Sequence, residues 1–262
     1  MINRDRFLTH IRDSEDRQTM TKILNKAQKS LKNYIVCGTE FYSPYEINMA
    51  IPIIEQIHDL NYFIYGAYEN AERKIIIFYP SIFELTKEDY PIGIIKVEGN
   101  FNKSTLSHRD FLGAILGLGL KRGKIGDILI NENEALIIGY KEINEFIRLN
   151  LTKIGRNNIS IEHVDLDYKI EKEDKYKMVT STVASLRLDS VVATGFSISR
   201  SIATKLIKGD KVKVNWKLQP QPSTLVSSGD VISVRGKGRI EVFHVGGKTK
   251  KDRYKVQIKR ML

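Results

Sequence analysis

The amino-acid sequence predicts an α+β fold divided into three domains. Residues 1–88 combine amphipathic helices with an aromatic hairpin, and residues 89–168 alternate short strands and helices. After a linker or hairpin at residues 169–184, residues 185–262 combine a helix pair with strands and a concentrated positive charge. With 262 residues and 42% hydrophobic content, the chain is long enough to bury several cores.

The N-terminal domain begins with two helices. Apolar residues recur at helical spacing over residues 13–33, with basic residues between them. Ser43 suits the N-cap of a second helix, and Pro44 suits its first position. Two aromatic and β-branched runs at residues 62–68 and 74–79 then predict a hairpin.

The middle domain has the order strand, helix, strand, strand, helix, strand. The predicted strands are residues 93–98, 125–130, 135–139 and 159–164, and the predicted helices are residues 107–118, capped by Ser107, and 141–149. This is the split βαβ order (βαββαβ) of ferredoxin-like and RNA-recognition-motif (RRM-like) domains. The fold alone does not establish RNA binding.

A working RNA-recognition motif carries stacking aromatic residues on its central strands. The corresponding strands here are aliphatic, so we expect no base reading on this sheet. A basic loop is present instead, in which Lys121, Arg122 and Lys124 alternate with glycines that let backbone amides approach phosphate. A solvated glycine-rich turn explains the same residues equally well.

The surplus positive charge is confined to the C-terminal domain. Residues 185–262 hold 17 Lys and Arg against 5 Asp and Glu, whereas residues 1–184 hold 25 against 26. The whole chain has a formal charge of +11. This asymmetry predicts a polyanionic partner whose binding weakens steeply with salt.

The basic domain begins with two predicted helices. The first starts within residues 186–192, and the second runs from an N-cap at Ser199 to Gly209. In the second helix the inward positions are Ile202, Ala203, Leu206 and Ile207, and the solvent-facing basic positions are Arg200, Lys205 and Lys208. An alternating strand at residues 211–215 follows, and residues 229–239 predict a strand that enters a basic glycine turn.

This order of residues resembles the S4 (αL-type) RNA-binding domain. The matching segments are Arg-Leu-Asp at 187–189, the helix at 199–209, Val-Lys-Val-Asn at 212–215 and Gly-Asp-Val-Ile-Ser-Val-Arg-Gly at 229–236. In that family the two helices lie against structured RNA, and a small β-rich part supports them. Trp216 departs from the pattern, because the family often has glycine after Val-Asn.

The resemblance implies which residues contact RNA. Arg187 and Arg200 are expected to be the main phosphate contacts, because guanidinium groups suit paired contacts better than lysines do. The remaining expected contacts are Ser199, Lys205, Lys208, Lys237 and Arg239 in this domain, and His108, Arg109, Lys121, Arg122 and Lys124 as a second set in the middle domain. For any single lysine, a merely solvated position is the alternative.

Further segments resemble the YlmH-type S4 proteins of Gram-positive bacteria and their chloroplast relatives. They are residues 66–74, Tyr79-Pro80 and residues 108–127, and with the S4 match they cover nearly the whole chain. Leu120 and Gly123 depart from the family's usual Gly-Ile-Lys-Arg-Glu-Lys. The resemblance implies a non-enzymatic factor of ribosome-associated quality control that binds the large ribosomal subunit carrying a stalled peptidyl-tRNA. The family is also encoded beside cell-division genes, from which a division role has been inferred for it too.

The sequence contains partial matches to several catalytic motifs, and none of them is complete. Residues 108–110 match the kinase His-Arg-Asp tripeptide without its Asp-Phe-Gly or ATP loop. Residues 119–124 are one residue short of a P-loop and lack its Ser/Thr, and residues 177–181 resemble only faintly a signature of class I aminoacyl-tRNA synthetases. The five histidines are scattered. We expect no catalytic residue, metal or cofactor.

The remaining composition points to a reducing compartment. Cys37 is the single cysteine, which excludes an internal disulfide, and a small buried residue is favoured over a nucleophile. The N-terminus lacks a signal-peptide run, and the longest apolar-rich stretch, residues 111–120, is too short to span a bilayer. We expect a soluble, cytoplasmic monomer.

We interpret the chain as a protein that docks on ribosomal RNA or tRNA of the large ribosomal subunit, with no membrane or small-molecule partner. One alternative is an RNA-modifying enzyme of the S4-containing pseudouridine synthase type, although residues 1–184 offer no recognisable Arg-Leu-Asp catalytic motif. The other is a division-associated scaffold, which would need protein partners and would be supported by an exposed apolar patch on the N-terminal domain.

Overall fold

The chain folds into two compact units, Met1–Glu171 and Lys172–Leu262. The computed structural model describes residues 4–99, 106–131, 134–170 and 176–261. Within these ranges no helix is both long enough and apolar enough to cross a membrane. The first unit contains both the N-terminal and the middle parts that the sequence separates.

The N-terminal part of the first unit is a helical layer on a small sheet. Its elements are α1 (Arg4–Leu8), α2 (Ser14–Asn33), β1 (Cys37–Gly38), α3 (Pro44–Ile54), β2 (Leu60–Tyr65) and β3 (Ile75–Pro80). The strands pair antiparallel in the order β1-β3-β2. The Asp13 carboxylate caps α2, and Glu46 accepts hydrogen bonds from the backbone N–H and hydroxyl of Ser43 at the start of α3. The two predicted helices and the hairpin are therefore confirmed.

The middle part has the ferredoxin-like strand order that the sequence predicts. Its elements are β4 (Ile92–Gly99), α4 (His108–Gly117), β5 (Ile125–Ile130), β6 (Glu134–Tyr140), α5 (Lys141–Asn150), β7 (Lys153–Ile154) and β8 (Asn157–Val164). The strands form an antiparallel sheet in the order β5-β6-β4-β8-β7. The turn predicted between β5 and β6 lies partly outside the described residues.

The two sheets of the first unit share one core. Phe41, Ile75 and Ile77 from the N-terminal part pack in one cluster with Ile94 and Ile138 of the five-stranded sheet, and all five side chains are fully buried. The opposite face of the five-stranded sheet packs on α4 and α5. The central strands of this sheet are therefore covered on both faces by the protein itself.

The second unit is a helix pair on a six-stranded antiparallel sheet. Its elements are β9 (Tyr176–Val183), α6 (Leu188–Phe196), α7 (Arg200–Lys208), β10 (Val212–Val214), β11 (Lys217–Leu218), β12 (Val231–Val234), β13 (Gly238–Lys248) and β14 (Tyr254–Met261). The strand order is β11-β10-β12-β13-β14-β9. The core between helices and sheet is aliphatic and includes Leu188, Val192, Ile207, Ile240 and Ile258.

Residues 176–183 differ from the linker or hairpin that the sequence predicts. They form β9, which pairs with β14 along its whole length, from Tyr176 opposite Met261 to Val183 opposite Tyr254. Val183 is buried in the core of the second unit, and Val179 packs against it. These widely spaced apolar residues among Lys, Thr and Ser are enough for an edge strand, because only one face of the sheet is covered.

The prediction that Ile202 faces inward is wrong. Its side chain is 48% exposed, whereas Ala203 and Ile207 are buried and Leu206 packs against the core. Ala203 and Ile207 are four residues apart and lie on one face of α7. Because α7 contacts the core along this narrow stripe, the neighbouring Ile202 is turned toward solvent.

Candidate nucleic-acid interface

Asp189 brings together the two arginines that the sequence singles out. Its side chain, in the first turn of α6, is only 5% exposed. Arg187 donates from Nε to Oδ1 and from Nη2 to Oδ2, each at 3.3 Å. Arg200 donates from Nη2 to Oδ1 at 3.1 Å and lies 3.0 Å from Oδ2. One nearly buried carboxylate therefore holds two guanidinium groups, and we call these three residues the Arg187–Asp189–Arg200 cluster.

The local backbone explains why these side chains meet. Arg187 is the N-cap of α6 and forms an isolated antiparallel bridge with Leu225. Arg200 is the first residue of α7, and the hydroxyl of its N-cap, Ser199, accepts a hydrogen bond from the Ile202 amide at 3.3 Å. Both arginines thus stand at helix starts that are fixed by capping or bridging residues.

Burial and ion pairing act in opposite directions on Asp189. Burial disfavours the charged carboxylate, but the hydrogen bonds and charges of Arg187 and Arg200 outweigh it, so the pKa of Asp189 lies below its ordinary 3.8. One negative charge offsets only one of the two guanidinium charges. The arginine side chains are 37% and 55% exposed, so the cluster presents a net positive charge to solvent. A phosphate is a suitable ligand for it.

Other predicted contacts of the second unit lie on α7. Lys205 and Lys208 are exposed in its last turn, on the same helix as Ser199 and Arg200. Lys237 is exposed in the turn between β12 and β13. The structure therefore groups four of the predicted contacts on α7 and places Lys237 on the sheet.

Arg239 belongs to a second cluster, on the outer face of the sheet. Its Nε donates to the Ser233 hydroxyl at 3.3 Å, and its guanidinium carbon lies 5.7 Å from the centroid of the Trp216 ring. The next residue, Ile240, is fully buried in the core below the helices. Because successive residues of a strand point to opposite faces, Arg239 points away from α6 and α7.

Arg122 and Lys124 of the basic middle loop are engaged within the protein. Arg122 donates from Nη1 to the carbonyl oxygens of Ile125 and, at 3.1 Å, Gly126. Burial and the nearby charge of Arg73 lower the pKa of Arg122 to about 10. Lys124 places Nζ 3.9 Å from the centroid of the Tyr140 ring and 3.6 Å from a Glu142 oxygen. Lys121 has an exposed side chain.

Gly123, in the same loop, lies close to another segment of the chain. A Cβ atom at this position would lie 2.8 Å from the carboxyl carbon of Glu40. A larger side chain would therefore displace Glu40, and a glutamate would also add like charge. The family usually has glutamate at this position. The close approach of Glu40 explains why glycine suits this chain instead.

His108 and Arg109 are exposed in the first turn of α4. Asp110 fixes this helix start, because it accepts hydrogen bonds from the Ser107 hydroxyl at 2.7 Å and the Ser107 amide at 2.8 Å, and these bonds lower the pKa of Asp110. α4 has 10 residues. A helix of this length spans about 15 Å, so it separates the first-turn pair from Lys121, which follows its far end.

The central strands of the middle sheet, β4 and β6, bury most of their described side chains on both faces and so offer no open surface for stacking bases. Ile94, Leu136 and Ile138 on one face are buried against the N-terminal sheet. Ile95 and Ile137 on the other face are buried under α4 and α5. The central strands are therefore not available to RNA.

Among the described residues, the titratable groups show no arrangement suited to redox or metal chemistry. Cys37 is buried, and burial raises the pKa of its thiol despite the opposing charges of Lys29 and Lys26. A protonated, buried thiol is a weak nucleophile. In the ranges of the chain that the structure describes, no group of three or more His, Cys, Asp or Glu could hold a metal ion.

Family models match three consecutive parts of the chain. They are "YlmH, N-terminal" at residues 15–82, "Putative RNA-binding domain in YlmH" at residues 86–168 and "S4 domain" at residues 186–232. The ribosome-associated protein quality control protein P2 of Bacillus subtilis (strain 168) is 36% identical over 223 residues, which cover 85% of this chain and 86% of that protein. The chain belongs to the YlmH family.

A solved structure and a ribosomal protein are also similar to parts of this chain. The structure of cell division protein ylmH from Streptococcus pneumoniae matches with a TM-score of 0.54 and 24% identity, covering 61% of this chain and 96% of that one. At this identity, the likeness concerns the fold alone. The small ribosomal subunit protein uS4 of Thermoanaerobacter sp. (strain X514) is 50% identical over 54 residues, or 20% of this chain and 26% of that protein.

Two residues in these clusters were not among the contacts that the sequence predicts. Asp189 is one of only 5 acidic residues in residues 185–262 and lies two positions after Arg187, which is a signal for a buried ion pair. Trp216 is the only tryptophan of the chain and stands at a turn position where the S4 domains that it resembles often have glycine. A large aromatic ring at such a turn is the signal in the sequence for a role of the Trp216 side chain.

Proposed function

We propose that this YlmH-family chain binds structured RNA of the ribosome through the surface around α6 and α7, and that it catalyses no reaction. The Arg187–Asp189–Arg200 cluster carries this proposal. Asp189 restrains both guanidinium groups before RNA arrives, so less side-chain freedom is lost when they contact phosphates. The charge that remains uncompensated attracts the RNA backbone.

The relatives support a role on the ribosome. The Bacillus subtilis relative is named as a ribosome-associated quality control protein, and one matched family model is described as an RNA-binding domain. The local likeness to uS4 is to a ribosomal protein. We propose that the target is the large ribosomal subunit with a stalled peptidyl-tRNA, and that the chain acts as a monomer.

The contact set of this proposal follows the geometry. Ser199, Lys205 and Lys208 extend the surface of the cluster along α7. His108 and Arg109 at the start of α4, and Lys121 beyond its end, are exposed on the first unit and are its two candidate points of contact. Arg122 and Lys124 support that loop through contacts inside the protein.

Sedimentation with large ribosomal subunits tests the proposal. The variant Arg187→Ala/Asp189→Asn/Arg200→Ala removes both guanidinium groups without leaving a buried unpaired carboxylate, which would threaten folding. We expect it to stay in the supernatant while wild type pellets with the subunits. Lys29→Ala, an exposed lysine of α2, changes the net charge by the same amount and is the matched control. Equal pelleting of both variants with wild type would contradict the proposal.

A further inference from the structure

The turn between β10 and β11 holds tryptophan in a conformation that favours glycine. Val214 pairs with Lys217, and the two residues between them, Asn215 and Trp216, have φ values of 48° and 66°. Two left-handed residues in a two-residue hairpin loop make a type I′ turn, for which Asn-Gly is the preferred pair. A bulky side chain at positive φ is strained, so the indole is present at a cost in stability.

The turn itself is fixed by Asn215. Its Nδ2 donates to Asp230 Oδ1 at 2.8 Å, its Oδ1 accepts from the Val231 amide at 2.9 Å, and its own amide donates to the Val231 carbonyl at 2.8 Å. These three bonds would hold the same turn with glycine at position 216. The indole therefore requires an explanation other than turn formation.

The ring lies beside a guanidinium group on the outer face of the sheet. Arg239 is 5.7 Å from the ring centroid and is held by Ser233, its partner in the strand register. The same strands and their turns carry further exposed basic side chains, namely Lys213, Lys217, Arg235 and Lys237. The apolar neighbour Leu218 is 43% exposed. Basic side chains thus predominate, which favours RNA over a hydrophobic protein surface.

We propose that Trp216 and Arg239 form a stacking site for an unpaired nucleobase. Aromatic rings and arginine planes both stack on unpaired bases, and nearby cations attract the phosphates that flank them. A strained residue that the turn does not need points to a function of its side chain. This inference rests on the proposed RNA-binding function and adds a contact on the opposite face of the sheet from the Arg187–Asp189–Arg200 cluster.

The full chain provides its own probe for this site. Trp216 is the single tryptophan, so its fluorescence reports directly on the site. We expect a single-stranded ten-nucleotide RNA to quench this fluorescence, and a blunt RNA duplex without unpaired bases to leave it nearly unchanged. Equal quenching by both RNAs would show that no unpaired base is recognised and would overturn the inference.

Substitution of Trp216 distinguishes a role of the ring in RNA binding from a role in stability. Trp216→Gly relieves the positive-φ strain, so the thermal midpoint should stay the same or rise. Affinity for the single-stranded RNA, measured by polarisation of a labelled strand, should fall about 5- to 150-fold. Trp216→Phe keeps a ring and should recover part of that loss. A lower thermal midpoint of Trp216→Gly would identify the ring as structural and overturn the inference.

The outcome for this site is distinguishable from the outcome for the proposed function. If Trp216→Gly binds single-stranded RNA like wild type, while the Arg187→Ala/Asp189→Asn/Arg200→Ala variant loses the large subunit, the stacking site is overturned and the proposed function stands. If wild type binds neither RNA nor subunits, both are overturned.

Discussion

The Nη2 atom of Arg200 lies 3.0 Å from Oδ2 of Asp189, although the two residues begin different helices. Asp189 also accepts hydrogen bonds from Arg187, so one carboxylate links the starts of α6 and α7. Because the carboxylate is almost inaccessible while both arginines are partly exposed, the same contacts serve folding and present charge to solvent. The stabilising and binding roles can be separated by substitution.

The charge of Asp189 should stabilise the second unit. Asp189→Asn keeps the shape but removes the charge-assisted hydrogen bonds, so we expect the free energy of unfolding to fall by about 1.5–3 kcal/mol. Urea unfolding followed by Trp216 fluorescence measures this unit. Asp210→Asn, at an exposed acid of the same unit, is the control and should change stability by less than about 0.5 kcal/mol. Equal effects of the two substitutions would exclude a special role for Asp189.

The contribution of Asp189 should disappear in acid. The pKa of Asp189 in the folded chain lies below the ordinary 3.8, so the unfolded chain takes up the proton first as pH falls. Its stabilisation is complete above pH 3.8 and is lost as pH falls through the lower folded-state pKa. The stability difference between wild type and Asp189→Asn should therefore be constant near neutrality and narrow below about pH 4. A difference that widens in acid would contradict the ion pairing.

Substitution of Ile202 should cost much less stability than substitution of Ile207, although both are isoleucines of α7. Ile202 is 48% exposed, so Ile202→Ala should change the free energy of unfolding by less than about 0.5 kcal/mol. Ile207 is fully buried, so Ile207→Ala should cost about 2–5 kcal/mol. Urea unfolding of the two variants compares them directly. Similar losses would mean that α7 is rotated relative to the structure described.

Substitutions of Arg122 and Lys121 should have different effects on stability and RNA binding, although the two residues are adjacent in the basic loop. Arg122→Ala removes the donor to the carbonyl oxygens of Ile125 and Gly126, so the first unit should lose about 1–3 kcal/mol of stability. Lys121→Ala, at an exposed residue, should leave stability unchanged and weaken RNA binding. Thermal unfolding and RNA titration of both variants provide the test. A stable Arg122→Ala variant with weakened RNA binding would reverse these assignments.

Local interactions explain what could be predicted from the sequence. Ser43, Ser107 and Ser199 each mark a helix start because a cap involves residues only three positions apart. The strand and helix order of residues 92–164 likewise determines the ferredoxin-like sheet. These features depend on residues close together in the chain.

The features that could not be predicted depend on distant partners. β9 is recognisable as a strand only through β14, which lies more than 70 residues later. The aliphatic strands of the middle part indicate a covered sheet, but not that the N-terminal sheet covers it. The meeting of Asp189 with Arg200 requires the packing of α6 on α7, and so the sequence predicts two separate arginines rather than one cluster.

The salt dependence of binding to large-subunit ribosomal RNA, compared between wild type and Arg187→Ala/Asp189→Asn/Arg200→Ala, decides whether the cluster contacts phosphates. The logarithm of the association constant falls with the logarithm of salt concentration by about 0.7–0.9 per neutralised phosphate. The triple variant should bind more weakly and show a slope shallower by about 1 to 2, while Lys29→Ala should parallel wild type. Parallel lines for all three proteins would contradict an RNA contact at Arg187 and Arg200.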